Sequence, residues 1–249
     1  MLMEKEYEIK YYEQNMNGDL KESSLLNILQ DIATLSAESL GFGPSFVFPN
    51  NYAWVVLKYH IELYNELRNY SSIRILTEPR GLSKLYAFRD FKLFSPLGEL
   101  VGRVASTWSL IDMSTRHLLP MQKTLPMMIP FEKRDDDLVY SKIEPIENVS
   151  YMKDFDVRYD DIDVNHHANN SNYIVWALET LPCEFRETHC AKIIDIRYRK
   201  EIGLNGKIFS TVEEKKEPDF VYTLHSIKNA QTEEELCDIK VCWMKSSLY

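Results

Sequence analysis

Two stretches of the chain place apolar residues at helical spacing, and most of the remainder carries the β-branched and aromatic runs of strands. In the first stretch Leu25, Ile28, Leu29, Ile32 and Ala33 recur at intervals of three and four, with Leu26 and Leu35 widening the apolar stripe. Ser23 or Ser24 can cap its start by accepting from orphan backbone N–H groups, and Gly41 marks its end. The second stretch runs through Tyr173, Ile174, Trp176, Ala177 and Leu181, with Asn170 or Ser171 as the cap and Pro182 as the stop. It is apolar around much of its circumference, which predicts a buried helix. Residues 54–61, 87–94, 100–111, 193–198 and 237–244 predict long antiparallel strands. Between two of them, Ser95-Pro96-Leu97-Gly98 puts a fixed φ and then a permissive one where a hairpin turn needs them.

The pattern repeats. An offset of 148 superposes Tyr11 on Tyr159, Asn17 on Asn165, Ser23 on Ser171 and Leu26 on Ile174. Further along, an offset of 135 superposes Ile61 on Ile196, Glu99 on Glu234 and Trp108 on Trp243, so the first half carries 13 extra residues. The Gly- and Pro-containing stretch 41–54 reads as the loop that holds them. Each half then has one order: a strand, a polar turn, one helix, several long strands. Two antiparallel sheets, each wrapped round one long helix, predict an α+β class and a double (tandem) hotdog fold. The charged stretch 133–150, with Pro145, is the expected linker between halves at 1–132 and 151–249.

Composition narrows the classes. An apolar fraction of 45% with 27% charged residues is that of a soluble globular protein, and no run approaches the roughly 20 apolar residues a membrane helix needs. A net charge of −9 excludes general nucleic-acid binding, which needs a basic footprint, and leaves an acidic partner only a local basic patch. Cys183, Cys190, Cys237 and Cys242 are spaced by seven, forty-seven and five residues, which matches no zinc pattern, so free thiols are expected and no metal. The opening Met1-Leu2-Met3-Glu4-Lys5-Glu6 mixes both charge signs and leads into strand-like sequence, unlike a signal or transit peptide, so a cytoplasmic location is expected.

Chemistry concentrates in residues 157–170. Asp160, Asp161 and Asp163, the amides Asn165, Asn169 and Asn170, and the imidazoles His166 and His167 crowd one short segment ahead of a helix start. Unpaired N–H groups and a positive dipole end suit a developing oxyanion, as acyl transfer requires.

Asp163-x-Asn165-x-His167, followed by Asn169-Asn170 and Tyr173-Ile174, resembles the signature of the acyl-ACP thioesterases of plants and bacteria. Tyr198-Arg199-Lys200-Glu201-Ile202-Gly203 is similar to that family's Tyr-Arg-Arg-Glu-Cys-Gly element. Trp54-Val55-Val56 and Thr107-Trp108 also have counterparts, so the resemblance spans nearly the whole chain. It implies a tandem hotdog whose N-terminal half shapes the acyl channel and whose C-terminal half is catalytic. The implied substrate is a fatty acyl thioester on acyl carrier protein, with no cofactor. Carried across by position, Asn165 holds or polarises the thioester carbonyl and His167 positions water and transfers protons. Asp163 orients its neighbours, and Glu201 is the base that activates water. The family's cysteine is Ile202 here, which excludes a Cys–His covalent route at that position.

Plainer roles compete at several positions. His166 reads as a surface or structural residue, Asn169 and Asn170 as helix caps, and Asp160 and Asp161 as solvated charges. Glu201 ends a strand that alternates charged and apolar residues, where an exposed ion pair would also fit. Phe46, Phe48, Tyr52 and Trp54 either line an acyl tunnel or belong to the core. Lys192, Arg197, Arg199 and Lys200 either dock the carrier or are solvated strand charges. Where the second half has His167 and Ala168 the first has Asp19 and Leu20, so the site belongs to the second half alone. An acyl-CoA thioesterase and a non-catalytic acyl-thioester binder are the alternatives kept. A monomer and a homodimer both agree with the sequence.

Overall fold

A computed structural model describes residues 2–247; Met1, Leu248 and Tyr249, the outer ends of the two expected halves, lie outside the described residues. The first half supplies β1 (Met3–Glu8), α1 (Glu22–Ser39), a single turn α2 (Pro44–Val47), β2 (Tyr52–Leu63), β3 (Ser72–Ser83), β4 (Tyr86–Phe94), β5 (Leu100–Asp112) and a short α3 (Met121–Thr124). The second supplies β6 (Tyr151–Asp156), α4 (Asn170–Leu178), α5 (Cys183–Thr188), β7 (His189–Tyr198), β8 (Lys207–Lys216), β9 (Val221–Asn229) and β10 (Glu235–Lys245).

The α+β tandem arrangement read from the repeat is present, with its two half-sheets joined edge to edge. All ten strands form one antiparallel sheet in the order β1-β3-β4-β5-β2-β7-β10-β9-β8-β6. Each half alone would leave β2 or β7 with a row of unpaired backbone groups, and joining the two edges satisfies both rows. The seam runs from Lys58 opposite Arg197 to Glu62 opposite Ile193. Read inward from either edge, the two halves have the same strand order.

His60 and Asp195 are partners under the 135-residue repeat and face each other across this seam, so the pseudo-twofold axis passes between them. Their side chains meet at 2.7 Å between Nδ1 and Oδ1, and both are buried. Burial by itself disfavours the imidazolium. Asp195 and Glu62 overcome that cost, and the His60 pKa is raised.

Both helices lie against one face of the sheet and pack on each other, closing a single apolar core that spans both halves. Leu25, Leu26, Leu29 and Ile32 of α1 and Tyr173, Ile174 and Ala177 of α4 are all buried, while Leu35 is outside the stripe and exposed. Neither Ser23 nor Ser24 caps α1. The helix begins one residue earlier, at Glu22, and Lys21 holds the cap position with no side-chain bond. On α4 the cap is Asn169, whose Oδ1 accepts from the Ser171 N–H at 2.9 Å, one residue before the expected Asn170 or Ser171. That helix stops at Leu178 rather than Leu181, and Pro182 starts α5 instead. The hairpin at Ser95 is as read: Gly98 takes φ +86°, and the Ser95 hydroxyl accepts from the Leu97 and Glu99 N–H groups.

The extra residues 41–54 are more than a loop. They hold α2, and Phe42 and Val47 join Leu82, Leu110, Met121 and Leu125 in a second, smaller apolar cluster. The stretch 133–150 has no helix or strand, yet it is tied to both halves. Arg134 pairs with Glu78, Asp137 with Arg80, the Ser141 N–H with Asp195, and the Glu147 N–H with Glu213. Cys183, Cys190, Cys237 and Cys242 are all unpaired thiols, and no helix among the described residues is long and apolar enough to cross a membrane.

A continuous sheet over a shared core predicts one cooperative unit. Ile61→Ala, which opens a void beside the buried Ile194 at the seam, should cost about 2–5 kcal/mol in a urea titration. Loss should come as one transition that near-UV and far-UV signals follow together. Two separated transitions would show that the halves fold independently.

Candidate functional site

The segment ahead of α4 is held by its own acids. Asp161, expected in solvent, is 1% exposed, accepts from the Arg158 N–H at 2.8 Å and is gripped by the Arg158 guanidinium at 2.6 Å. Its carbonyl receives the Asn169 N–H and the Asn172 amide, which ties the segment to the start of α4. Asp160 is solvent-exposed, as read.

Asp163 folds the next turn around itself. Its N–H donates to the His167 carbonyl at 2.9 Å, while its carboxylate accepts from the Asn165 N–H at 2.8 Å and the Asn165 amide at 3.3 Å. His166 closes this turn at φ +64° and is exposed. One residue on, the Ala168 N–H donates to the Ile202 carbonyl at 2.8 Å. That bond draws the strip after β7 against the loop and sets Glu201 beside His167, with 3.5 Å between Nε2 and Oε2. Ile202 itself is buried in the core.

Asp163, Asn165, His167 and Glu201 therefore line one cavity of about 580 Å³, together with the first residues of β2 and with Tyr173 and Tyr198. His167 is partly buried, and its Nδ1 has no hydrogen-bond partner. Burial, and then repulsion from Arg116, lower its pKa below the ordinary histidine value. Glu201 is an ion-pair partner too, but within the cavity: Arg116 Nη2 holds its carboxylate. Sequence reasoning missed Arg116. It lies 85 residues away in the other half, on a polar turn that reads like any hairpin end.

A second, apolar pocket of about 250 Å³ adjoins the cavity and shares Ala53, Trp54 and Asn165 with it. Ala33 and Ala37 of α1, Val47 and Phe48 of the extra stretch, and Trp108 of β5 form its walls. Of the four aromatics singled out, Phe48 and Trp54 line it, and Trp54 is pinned through Nε1 to the Phe42 carbonyl at 2.8 Å. Phe46 and Tyr52 instead pack on each other against the small cluster. Among the basic residues, Arg199 pairs with Asp238 and Lys200 with Glu234 at the cavity rim, and Arg197 is exposed on the seam.

The opposite end of the seam carries a counterpart cavity of about 610 Å³ that includes Asn17, Asp19 and Glu66, the repeat partners of Asn165, His167 and Glu201. Arg68 bridges Asp19 at 3.1 Å and Glu66 at 2.8 Å. At the position matching His167 this end has Asp19 instead of an imidazole, and His189, which also lines the cavity, is engaged through Nδ1 with Thr188 and the Phe185 carbonyl.

Comparison with known proteins agrees with the geometry. The family descriptions "Acyl-ACP thioesterase N-terminal domain" and "Acyl-ACP thioesterase C-terminal domain" match residues 1–128 and 144–245. The chain is 26% identical over 285 residues to oleoyl-acyl carrier protein thioesterase 2 of Arabidopsis thaliana, spanning 96% of this chain and 76% of that protein. It is 27% identical to oleoyl-acyl carrier protein thioesterase 1 of the same plant, spanning 78% of this chain and 58% of that one. Among solved structures, an acyl-ACP thioesterase from Bacteroides thetaiotaomicron superposes with a TM-score of 0.83 at 23% identity, covering 97% of each chain. The 12:0-ACP thioesterase from Umbellularia californica gives 0.83 at 20% identity, covering 98% of each. At these identities the structures establish the shared fold.

The environment of His167 makes a pH prediction. An NMR titration should find its imidazole still mostly neutral near pH 6.5, where an exposed histidine is about half protonated. The sign for stability follows: the folded pKa lies below the unfolded one, so this group costs stability as pH falls through about 6.5 towards the folded value. A His167 pKa at or above the ordinary value would contradict this.

Proposed function

We propose, because this chain belongs to the acyl-ACP thioesterase family, that it hydrolyses fatty acyl thioesters carried on acyl carrier protein, releasing free fatty acid and carrier. The observation that carries the reading is the convergence of Asn165, His167 and Glu201 in a cavity that adjoins an apolar pocket lined mostly by the other half.

The first half, residues 1–132, houses the acyl chain between α1, β5 and the extra stretch. The second, 151–249, supplies the chemistry, and 133–150 straps the two together. The thioester carbonyl lies against Asn165. Asp163 occupies one side of the Asn165 amide and leaves it an N–H to donate to the carbonyl oxygen, beside the N-terminal end of α4. Such a donor is worth roughly 10²–10³-fold as negative charge grows on that oxygen.

Two acceptors 3.5 Å apart, His167 Nε2 and a Glu201 oxygen, can each take one hydrogen of a single water. As the water oxygen attacks the carbonyl carbon, one proton passes to His167, and Glu201 keeps hold of the water's other hydrogen. When the tetrahedral intermediate collapses, the C–S bond breaks and His167 returns the proton to the departing thiolate. A positioned base of this kind contributes about 10²–10⁴-fold. Every group in the scheme comes from one chain, so a monomer suffices for turnover and homodimerisation is dispensable. The four free thiols fit a reducing cytoplasm.

The test is thiol release from a panel of acyl-ACP and acyl-CoA substrates. Wild type should turn over acyl-ACP, and His167→Ala and Glu201→Ala should each lower kcat by at least about 10²-fold with the melting temperature retained. Absence of turnover on every thioester, with acyl-ACP still bound, would make this a binding protein instead. A strong preference for acyl-CoA would change the carrier.

A further inference from the structure

Arg116 stands in the half that was expected mainly to shape the acyl pocket, yet it reaches the pair His167 and Glu201. The turn that presents it is built for the purpose. The Asp112 carboxylate accepts from the Ser114 and Thr115 N–H groups at 2.8 and 2.9 Å, and the Arg116 N–H donates to the Asp112 carbonyl at 2.8 Å. Arg116 itself takes φ +60°, a left-handed conformation uncommon for a non-glycine residue. The extra stretch braces the same turn: Asn51 donates to the Ser114 hydroxyl at 2.7 Å and accepts the Met113 N–H at 2.9 Å.

From that turn the guanidinium crosses the seam to the Glu201 carboxylate, which also faces His167 at 3.5 Å. A carboxylate alone beside an imidazole would favour the imidazolium as its ion-pair partner, and a protonated imidazole cannot accept a proton from water. A permanent cation on the same carboxylate removes that incentive and repels a second positive charge. The other charges near His167 are Asp163 and His166 on its own loop. Arg199 and Lys200 line the cavity but are spent on Asp238, Glu235 and Glu234.

We propose that Arg116 is a positioning residue that pins the Glu201 carboxylate across the seam and denies it to His167 as a private counter-ion. The inference rests on the hydrolytic reading of the site, and it makes the acyl-binding half a participant in proton transfer. Arg116 touches neither the water nor the carbonyl and acts through Glu201 and His167.

The experiment compares wild type, Arg116→Gln and Arg116→Lys in two readouts. In an NMR titration of His167, Arg116→Gln should move the midpoint to higher pH, and Arg116→Lys should leave it near the wild-type position. In kinetics on acyl-ACP, Arg116→Gln should shift the acid limb of kcat/KM upward by the same amount and lower kcat near pH 7 roughly tenfold, with KM little changed. Arg116→Lys should restore most of the loss. An unmoved His167 titration in Arg116→Gln overturns the proposal. So does a raised KM with kcat and the acid limb unchanged, which would make Arg116 a contact for the carrier. If the wild type hydrolyses no thioester, the hydrolytic reading fails, and the titration still decides whether Arg116 controls His167.

Discussion

The antiparallel pairing of β2 with β7 is the contact on which everything else depends. Two half-sheets that each end in an open strand become one ten-stranded sheet because their unpaired backbone groups satisfy each other. Antiparallel pairing also sets direction: the start of β2 lies beside the end of β7. The start of β2 is where the extra residues of the first half finish, and the end of β7 leads into Glu201. One seam therefore brings an apolar pocket from one half against the loop that carries Asn165 and His167 in the other.

The same seam has two ends, and pseudo-symmetry gives each a cavity of similar size. Their charged groups are arranged differently. At one end His167 and Glu201 meet under the influence of Arg116; at the other, Asp19 and Glu66 are tied off by Arg68. The extra stretch, with α2, Phe48 and Trp54, supplies an apolar pocket beside the first end. The apolar pocket and the polar cavity thus draw on different halves and share the lining residues Ala53, Trp54 and Asn165. The buried His60 and Asp195 pair sits on the axis between the two ends, and the 133–150 strap is bound to it through Ser141.

Local signals in the sequence were legible where the physics is local. The helix periodicity around Leu25 and Ile174 and the hairpin at Ser95 to Gly98 depend on neighbours a few residues apart. The crowding of Asp163, Asn165 and His167 just before a helix was equally visible, because that turn is closed by its own side chains. Cap positions slipped by a residue or two: Ser, Asn and Asp side chains are interchangeable as cap candidates, and backbone geometry alone selects among them. Asp161 was misread for a related reason. Its polarity argued for solvent, while the Arg158 backbone N–H and guanidinium let its carboxylate be buried.

What the sequence by itself determined is the inventory: two similar α+β halves, the motif histidine in the second only, extra apolar residues in the first, and no cysteine where Ile202 stands. The tertiary structure alone decided how these meet. Strand edges carry no sequence mark of which partner will cover them, so the continuous sheet could not be read in advance. Arg116 and Glu201 lie in different halves with no periodicity to link them, and the charge balance at His167 exists only once the seam has brought them into contact.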